Sequence, residues 1–200
     1  LLDVLFEEVH YKKVVQMPIA SPFLKMEGEP IIVNVPSSED ILGDKLTAFA
    51  PHTSGIKFFK KEKNCSLEII KQMFDVAALF DVCQDFHLTH DTVRKFGETE
   101  LGYRDLEGAT TDDILMDAIK TAQCISLRGL ENVDEFNLLQ GGIKRIGGLI
   151  FSERYHLEPA IRDAAKAAYV AALILTHSTD VHRYSTTPIA AWKDAVIGKV

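Results

Sequence analysis

The hydrophobic pattern of this chain changes character near residue 36. Before that point, short apolar and β-branched runs alternate with polar residues, as is typical of strands, and Pro18 and Pro36 end two of them. After it, apolar residues recur at three- and four-residue spacing, as is typical of helices. The pattern therefore predicts an α+β fold with strands first and helices afterwards. The predicted strands cover residues 1–8, 12–17, 23–26 and 31–35.

Capping residues and helix breakers set the predicted bounds of the helices. Ser37 begins the first helix and Thr110 the fourth, because a hydroxyl accepts from free backbone N–H groups and acids follow in each first turn. The third helix is expected to begin at Thr89 or Asp91. The predicted helices cover residues 37–49, 66–85, 89 or 91 onward, 110–127, 132–150 with breaks at two Gly-Gly pairs, and 158–176; no firm structure is predicted from residue 177.

Composition narrows the class of protein. The 200 residues are 46% hydrophobic and include 22 basic and 29 acidic residues, giving a net charge of −7. These values exclude a disordered chain and a globally basic surface, so contact with nucleic acid would need a local patch. No apolar run approaches the ~20 residues that span a bilayer. Three widely spaced cysteines without a Cys-x-x-Cys pair favour reduced thiols in a cytoplasmic protein.

Lys45 lies where a charge is costly. All four residues one helical turn away from it are apolar: Ile41, Leu42, Ala48 and Phe49. Because residues at these offsets share a helix face, we expect the ammonium to meet an acid or to project into a cleft that holds an anion. Alternatively, the methylenes lie on apolar surface while the amine reaches water. The residues alone leave both possibilities open.

Two aspartates raise the same question. Asp3 shares a strand face with Leu1 and Leu5, so it either binds a partner such as a metal ion or reaches water at a strand end. Asp75 lies in the most apolar part of its helix, one turn after Lys71, and an ion pair within the helix is the simpler interpretation. Taken together, three charges in apolar segments indicate a functional site.

Other polar groups have mainly structural interpretations. His87-x-x-His90-Asp91, and His177 and His182 around Asp180, have some of the spacing of metal ligands, but isolated pairs are more often solvated. The glycine pairs at 141–142 and 147–148 match no phosphate-binding motif and favour close packing or a kink. Two groups of basic residues form either a local basic patch or solvated faces. They are Lys57, Lys60, Lys61 and Lys63, and Lys144 and Arg145.

Three segments resemble one family. Residues 35–49, VPSSEDILGDKLTAF, resemble the "pxxxdllxdKLxAl" helix of the AbiEii/AbiGii-type nucleotidyltransferase toxins. Residues 71–76, KQMFDV, are similar to the family's next element, a basic residue followed by a "yDL" or "fDv" helix, although Gln72 stands where many members have Asp. Residues 2–5, LDVL, resemble the strand that provides the third carboxylate of a polymerase-beta-like nucleotidyltransferase palm.

The resemblance implies transfer of a nucleotide from an NTP to an acceptor hydroxyl, on tRNA in some family members. It implies a two-ion Mg²⁺ site with Asp3 as a ligand, a role at the triphosphate for Lys45 and Lys71, and Asp75 as a further catalytic residue. Asp75 would position Lys45 or Lys71, or accept a proton or a sugar hydroxyl. The family's partners include a cognate antitoxin, and its setting is a bacterial cytoplasm.

The expected organisation has three parts. Residues 1–35 would complete a nucleotidyltransferase palm, 36–90 would bear the Lys and Asp motifs, and 91–200 would form a C-terminal helical domain. The family's Gly-Ser signature and D-x-D pair would precede Leu1, so we expect residues upstream of it. Two alternatives remain: a non-catalytic helical module that binds a partner protein, and a nucleotidyltransferase for small molecules of the antibiotic type, with a closed pocket and no basic rim.

Overall fold

A computed structural model describes residues 10–21, 25–104, 106, 108–178 and 180–183. In these ranges the chain is α+β and mostly helical, with six helices and two small antiparallel sheets. The predicted strand 1–8 with Asp3 lies outside the described residues. The elements are β1 (Val14–Pro18), β2 (Ile32–Pro36), α1 (Ser38–Ala48), β3 (Phe59–Lys60), β4 (Lys63–Asn64), α2 (Ser66–Val82), α3 (Phe86–Tyr103), α4 (Thr111–Ser126), α5 (Val133–Ile146) and α6 (Leu157–Leu175).

Strands β1 and β2 form a two-stranded ribbon directly before α1. They pair antiparallel, with Val15 opposite Val35, as expected for the runs 12–17 and 31–35. The ribbon exposes the apolar side chains of Val14, Met17 and Ile32. Of the predicted strand 23–26, residues 25 and 26 are in coil, and the other two lie outside the described residues.

Helix starts follow capping chemistry. Ser37 accepts a hydrogen bond from the Asp40 N–H at the start of α1, and Thr110 forms a capping box at the start of α4. The start predicted for the third helix was wrong. Helix α3 begins at Phe86, because the Asp85 carboxylate accepts hydrogen bonds from the backbone N–H groups of His87 and Leu88. Asp85 therefore caps the helix four residues before Thr89.

The predicted break at the first glycine pair of α5 was also wrong, although close packing is present. Helix α5 continues through Gly141 and Gly142 and ends at Ile146. A Cβ on Gly142 would lie 2.4 Å from the Ser66 carbonyl oxygen, whereas one on Gly141 would meet nothing within 4 Å. Gly142 therefore lets α5 approach the backbone at the start of α2.

One large apolar cluster draws buried side chains from all six helices. Helix α2 lies near its centre, with Ile69, Met73 and Val76 fully buried, and packs against α1, α5 and α6. Helices α4 and α6 pack closely on each other, and both contribute buried alanines to the contact. Among the described residues, no helix is both long enough and apolar enough to cross a membrane.

Candidate functional site

The ammonium of Lys45 and the carboxylate of Asp75 form an ion pair across the two facing helices α1 and α2. The Lys45 Nζ lies 2.9 Å from the Asp75 Oδ2, and the side chains are 31% and 42% exposed. The acid expected near Lys45 is thus present, and it comes from a different helix. The ion pair that the structure records for Asp75 is with Lys45 and not with Lys71, the partner that spacing within α2 suggested.

The pair lies in an open cleft with apolar walls. The cleft has a volume of about 430 Å³ and is lined, besides the pair, by Ile41, Ala78, Leu79 and Val82. Ile41 precedes Lys45 by one turn, and Ala78 and Leu79 follow Asp75 by one turn, so each helix presents its charge and its apolar wall on one face. The ion pair is the polar feature of this cleft.

The arrangement leaves hydrogen-bonding capacity unused. An ammonium has three donors, and one suffices for the Asp75 carboxylate, so with respect to the residues that the structure describes two remain for a ligand. Part of the Lys45 side chain reaches solvent, so an anion can approach without displacing the core. An oxyanion with apolar atoms attached would therefore meet both the cation and the apolar walls.

Tyr11, which precedes the ribbon, contacts α1 beside Lys45. Its hydroxyl donates to the Asp44 Oδ2 at 3.2 Å. Burial, together with the charge of Asp44, raises the pKa of Tyr11 to about 12. Burial also raises the pKa of Asp44, against the hydrogen bond from Tyr11 and the positive charge of Lys45. The hydrogen bond between Tyr11 and Asp44 thus connects the segment before β1 to the turn of α1 that bears Lys45.

The Asp40 carboxylate holds the start of α1 in place. The sequence pattern predicts for it only the role of an acid in the first turn of that helix. Its carboxylate is fully buried and accepts four hydrogen bonds, so both oxygens are satisfied. The donors are the N–H groups of Lys12 (3.0 Å) and Lys13 (2.9 Å) and the hydroxyls of Ser37 (3.0 Å) and Thr92 (2.7 Å). The sequence Ser37-Ser38-Glu39-Asp40 does not distinguish a buried acceptor of four hydrogen bonds from an ordinary acid in the first turn of a helix.

The remaining predicted site residues do not join this pair in the described structure. Lys71 is exposed on α2, one turn before Asp75. Asp3 lies outside the described residues, so the structure does not test its predicted proximity to Lys45. The roles of Asp3 in metal binding and of Lys71 in nucleotide binding therefore stay predictions.

Two histidine groups that the sequence separates meet in space. The rings of His90 and His177 lie 4.6 Å apart between centroids, and His87 lines the same cavity of about 260 Å³. The chain returns to α3 at the end of α6, which no local pattern reveals. Even so, the described ranges contain no group of three or more His, Cys, Asp or Glu side chains placed to hold a metal ion.

Comparison with known proteins adds no relative to this geometry. No family model, no curated protein and no solved structure matches the chain. The cleft and its ion pair are therefore interpreted from their own chemistry and from the motifs in which Lys45 and Asp75 occur.

Proposed function

We propose that this chain carries out nucleotidyl transfer from an NTP to an acceptor hydroxyl, in the manner of the AbiEii-type toxins. The observation that carries the proposal is the Lys45–Asp75 ion pair. Its two members are the Lys and the Asp of the two helix motifs that resemble the family, and these motifs are specific mainly in combination. Motif residues 30 positions apart in the sequence thus meet at one open cleft.

Lys45 is the residue proposed to bind the triphosphate. In the reaction the acceptor oxygen bonds to the α-phosphorus, and the bond from that phosphorus to the α–β bridging oxygen breaks. Pyrophosphate leaves with the electron pair, and the acceptor proton passes to solvent. Negative charge therefore grows on the leaving group, where the two free donors of the ammonium stabilise it. Asp75 is a positioning residue that holds the ammonium at the mouth of the cleft.

Magnesium belongs to this proposal through Asp3 and not through the described side chains. When bound, Mg²⁺ would neutralise triphosphate charge and lower the pKa of the acceptor hydroxyl. A divalent ion of this kind needs several oxygen ligands. The residues that the structure describes supply no such group, since Asp75 already has a cationic partner. No step is assigned to the ion.

The ribbon β1–β2 supports the palm part of the proposal. A two-stranded ribbon is only marginally stable in water, and this one exposes Val14, Met17 and Ile32. A larger sheet with a further layer packed on its apolar face would cover such side chains. The N–H groups of Lys12 and Lys13, just before β1, donate to the Asp40 carboxylate on α1. A sheet built on this ribbon would therefore have a fixed position relative to Lys45.

The test is NTP-dependent labelling by protein expressed from its complete coding sequence. Each of the four α-³²P-labelled NTPs is offered with Mg²⁺ and total RNA. We expect Lys45→Ala to lower the labelling rate about 100-fold, as for loss of one transition-state charge contact. Asp75→Asn should lower it about tenfold, because a charge-assisted hydrogen bond is weakened.

The matched control is Lys166→Ala, which breaks another partly exposed Lys–Asp pair, between Lys166 of α6 and Asp81 of α2 at 2.6 Å. It should label at the wild-type rate, and all variants should show unchanged circular dichroism. Equal labelling by Lys45→Ala and wild type would remove Lys45 from the chemistry. A wild-type protein that labels neither RNA nor small hydroxyl acceptors would contradict the proposal and favour the helical interaction module.

A further inference from the structure

A concentrated basic surface lies at the start of α2. We call it the hairpin surface; it comprises Lys57, Phe59, Lys60, Lys61 and Lys63 of the β3–β4 hairpin segment and Lys144 and Arg145 of α5. All seven side chains are exposed. The sequence left open whether the two basic groups form one patch, and the structure brings them together. A chain of net charge −7 thus has four lysines within seven residues of one hairpin segment, with Glu62 among them, and Arg145 at the base of that hairpin.

Arg145 joins the two groups. Its guanidinium donates to the Asn64 Oδ1 at 3.0 Å and to the Ser66 Oγ at 3.1 Å. Asn64 is the last residue of β4 and Ser66 the first of α2, so the end of α5 is fastened to the base of the hairpin. The close approach at Gly142 makes this contact possible, because a side chain there would hold α5 away.

Glu62 in the hairpin and Glu68 on α2 offset only part of this positive charge, and Glu68 lies close enough to Lys63 and Arg145 for both cations to lower its pKa. Lys63 pairs with Glu68 at 3.4 Å. For Lys57, Lys60 and Lys61, no carboxylate partner is recorded in the described part of the chain. Lys60 also lies directly opposite Lys63 in the hairpin register. Like charges at opposed positions destabilise a ribbon, so an anion between them would stabilise it.

Phe59 adds a feature that phosphate binding alone does not need. Its side chain is 50% exposed, although it is a large apolar residue. It lies opposite Asn64 in the hairpin, and the Asn64 side chain accepts a hydrogen bond from Arg145. Aromatic rings among cations are the usual platform for unpaired bases, which stack on the ring while the backbone meets the charges.

We propose that the hairpin surface binds single-stranded RNA, and that this RNA supplies the acceptor hydroxyl. The second clause rests on the proposed nucleotidyl transfer, whereas the first stands without it. Asp75 follows Ser66 by nine residues of α2, which is about 14 Å along the helix axis. Nine residues also place Ser66 and Asp75 on opposite faces of α2, so an RNA strand held at the hairpin would pass along and around the helix to reach the Lys45 cleft.

The first test measures binding of a fluorescein-labelled 20-nucleotide single-stranded RNA by anisotropy at several salt concentrations. The variant is the triple Lys60→Gln, Lys61→Gln, Lys63→Gln, and we expect it to weaken binding at least about tenfold. The slope of log K against log salt should fall by about 2, since each phosphate contact on a single strand contributes about 0.7. The matched control removes three exposed cations elsewhere, as Arg94→Gln, Lys95→Gln, Lys120→Gln, and should bind nearly as wild type.

A second variant tests stacking. Phe59→Leu keeps an apolar side chain of similar size but removes the ring. It should weaken binding of the single strand about fivefold or more and leave binding of a duplex of the same sequence unchanged. Equal effects on both forms would contradict base stacking and reduce the surface to a phosphate site.

Three outcomes separate this inference from the proposed function. Lys45→Ala should bind the RNA as wild type does while failing to label it. If RNA binding depends on the hairpin lysines but no protein labels RNA, the surface stands and its link to transfer fails. If the lysine triple binds RNA as its control does, the inference is wrong; preferential binding of polyglutamate to wild type would then identify the surface as one for acidic proteins.

Discussion

Asp40 and Lys45 lie five residues apart on α1, yet the fold places them in opposite situations. Asp40 is fully buried and accepts four hydrogen bonds from three parts of the chain. Lys45 is about one-third exposed and forms an ion pair with Asp75 in an open apolar cleft. Both are charges in a segment rich in apolar residues, and sequence reasoning selected only the lysine.

The difference teaches what a functional charge needs. A carboxylate whose oxygens are all satisfied has no capacity left for a ligand, and removing it leaves buried donors without acceptors. A half-exposed ammonium with one partner contributes little to stability but retains donors for an anion. We therefore expect Asp40 to act on the fold and Lys45 to act on chemistry.

The largest expected effect on stability is that of Asp40→Ala. It leaves the N–H groups of Lys12 and Lys13 without their acceptor and the Thr92 hydroxyl with only the Leu88 carbonyl, so we expect the free energy of unfolding to fall by about 3 kcal/mol. Denaturant titration followed by circular dichroism measures it. The free energy of unfolding of Asp40→Asn should lie between those of wild type and Asp40→Ala, because the amide keeps one accepting oxygen but its nitrogen cannot accept.

Asp112→Ala is the control for Asp40, because it removes an exposed acid from the first turn of α4. Its cost should be below about 1 kcal/mol, the usual contribution of a charge at a helix start. Similar losses for the two alanine variants would show that Asp40 acts only on the helix dipole, and the comparison with Lys45 would collapse.

An intermediate effect is expected for the ion pairs on α2. Double-mutant cycles for Lys45–Asp75 and for Lys166–Asp81 should each give a coupling energy of about 0.2–1 kcal/mol, because both pairs are half-exposed. The cycles use alanine variants and the same denaturant titration. A coupling of several kcal/mol for Lys45–Asp75 alone would make it a structural element and weaken its assignment to the triphosphate.

The smallest effect concerns an ion pair that pH can switch off. The His52 Nε2 lies 3.1 Å from the Glu135 Oε2, and this hydrogen bond raises the pKa of His52 above its ordinary value of 6.5. A raised pKa means that the stabilising contribution is complete below about pH 6.5 and is lost as pH rises through the folded-state pKa. Glu135→Gln should therefore destabilise the protein more at pH 5.5 than at pH 8.5.

NMR titration of the His52 ring protons checks the same prediction directly. The pKa should fall in Glu135→Gln and stay unchanged in Glu98→Gln, which alters an exposed acid on α3. If the destabilisation by Glu135→Gln is the same at both pH values, the contact acts through shape and not through charge. The charge of His52 would then contribute nothing measurable to the stability of the protein.

Much of the local structure follows from short-range chemistry. Runs of β-branched residues form β1 and β2, and caps at Ser37 and Thr110 begin α1 and α4, because these preferences act within one turn or one strand. The errors have the same scale. Asp85 captured the start of α3 before Thr89, and the glycine pair of α5 did not interrupt the helix because packing outweighed its low helix propensity.

The sequence by itself determined that the Lys45 ammonium needed either a partner or a route to water, because its neighbours on the helix face are apolar. Only the tertiary structure decided that the partner is Asp75, that Asp40 accepts from the residues just before β1 and from α3, and that Arg145 meets Asn64 and Ser66. Spacing along one helix specifies which residues share a face, whereas contacts between elements depend on how all six helices fill a common core.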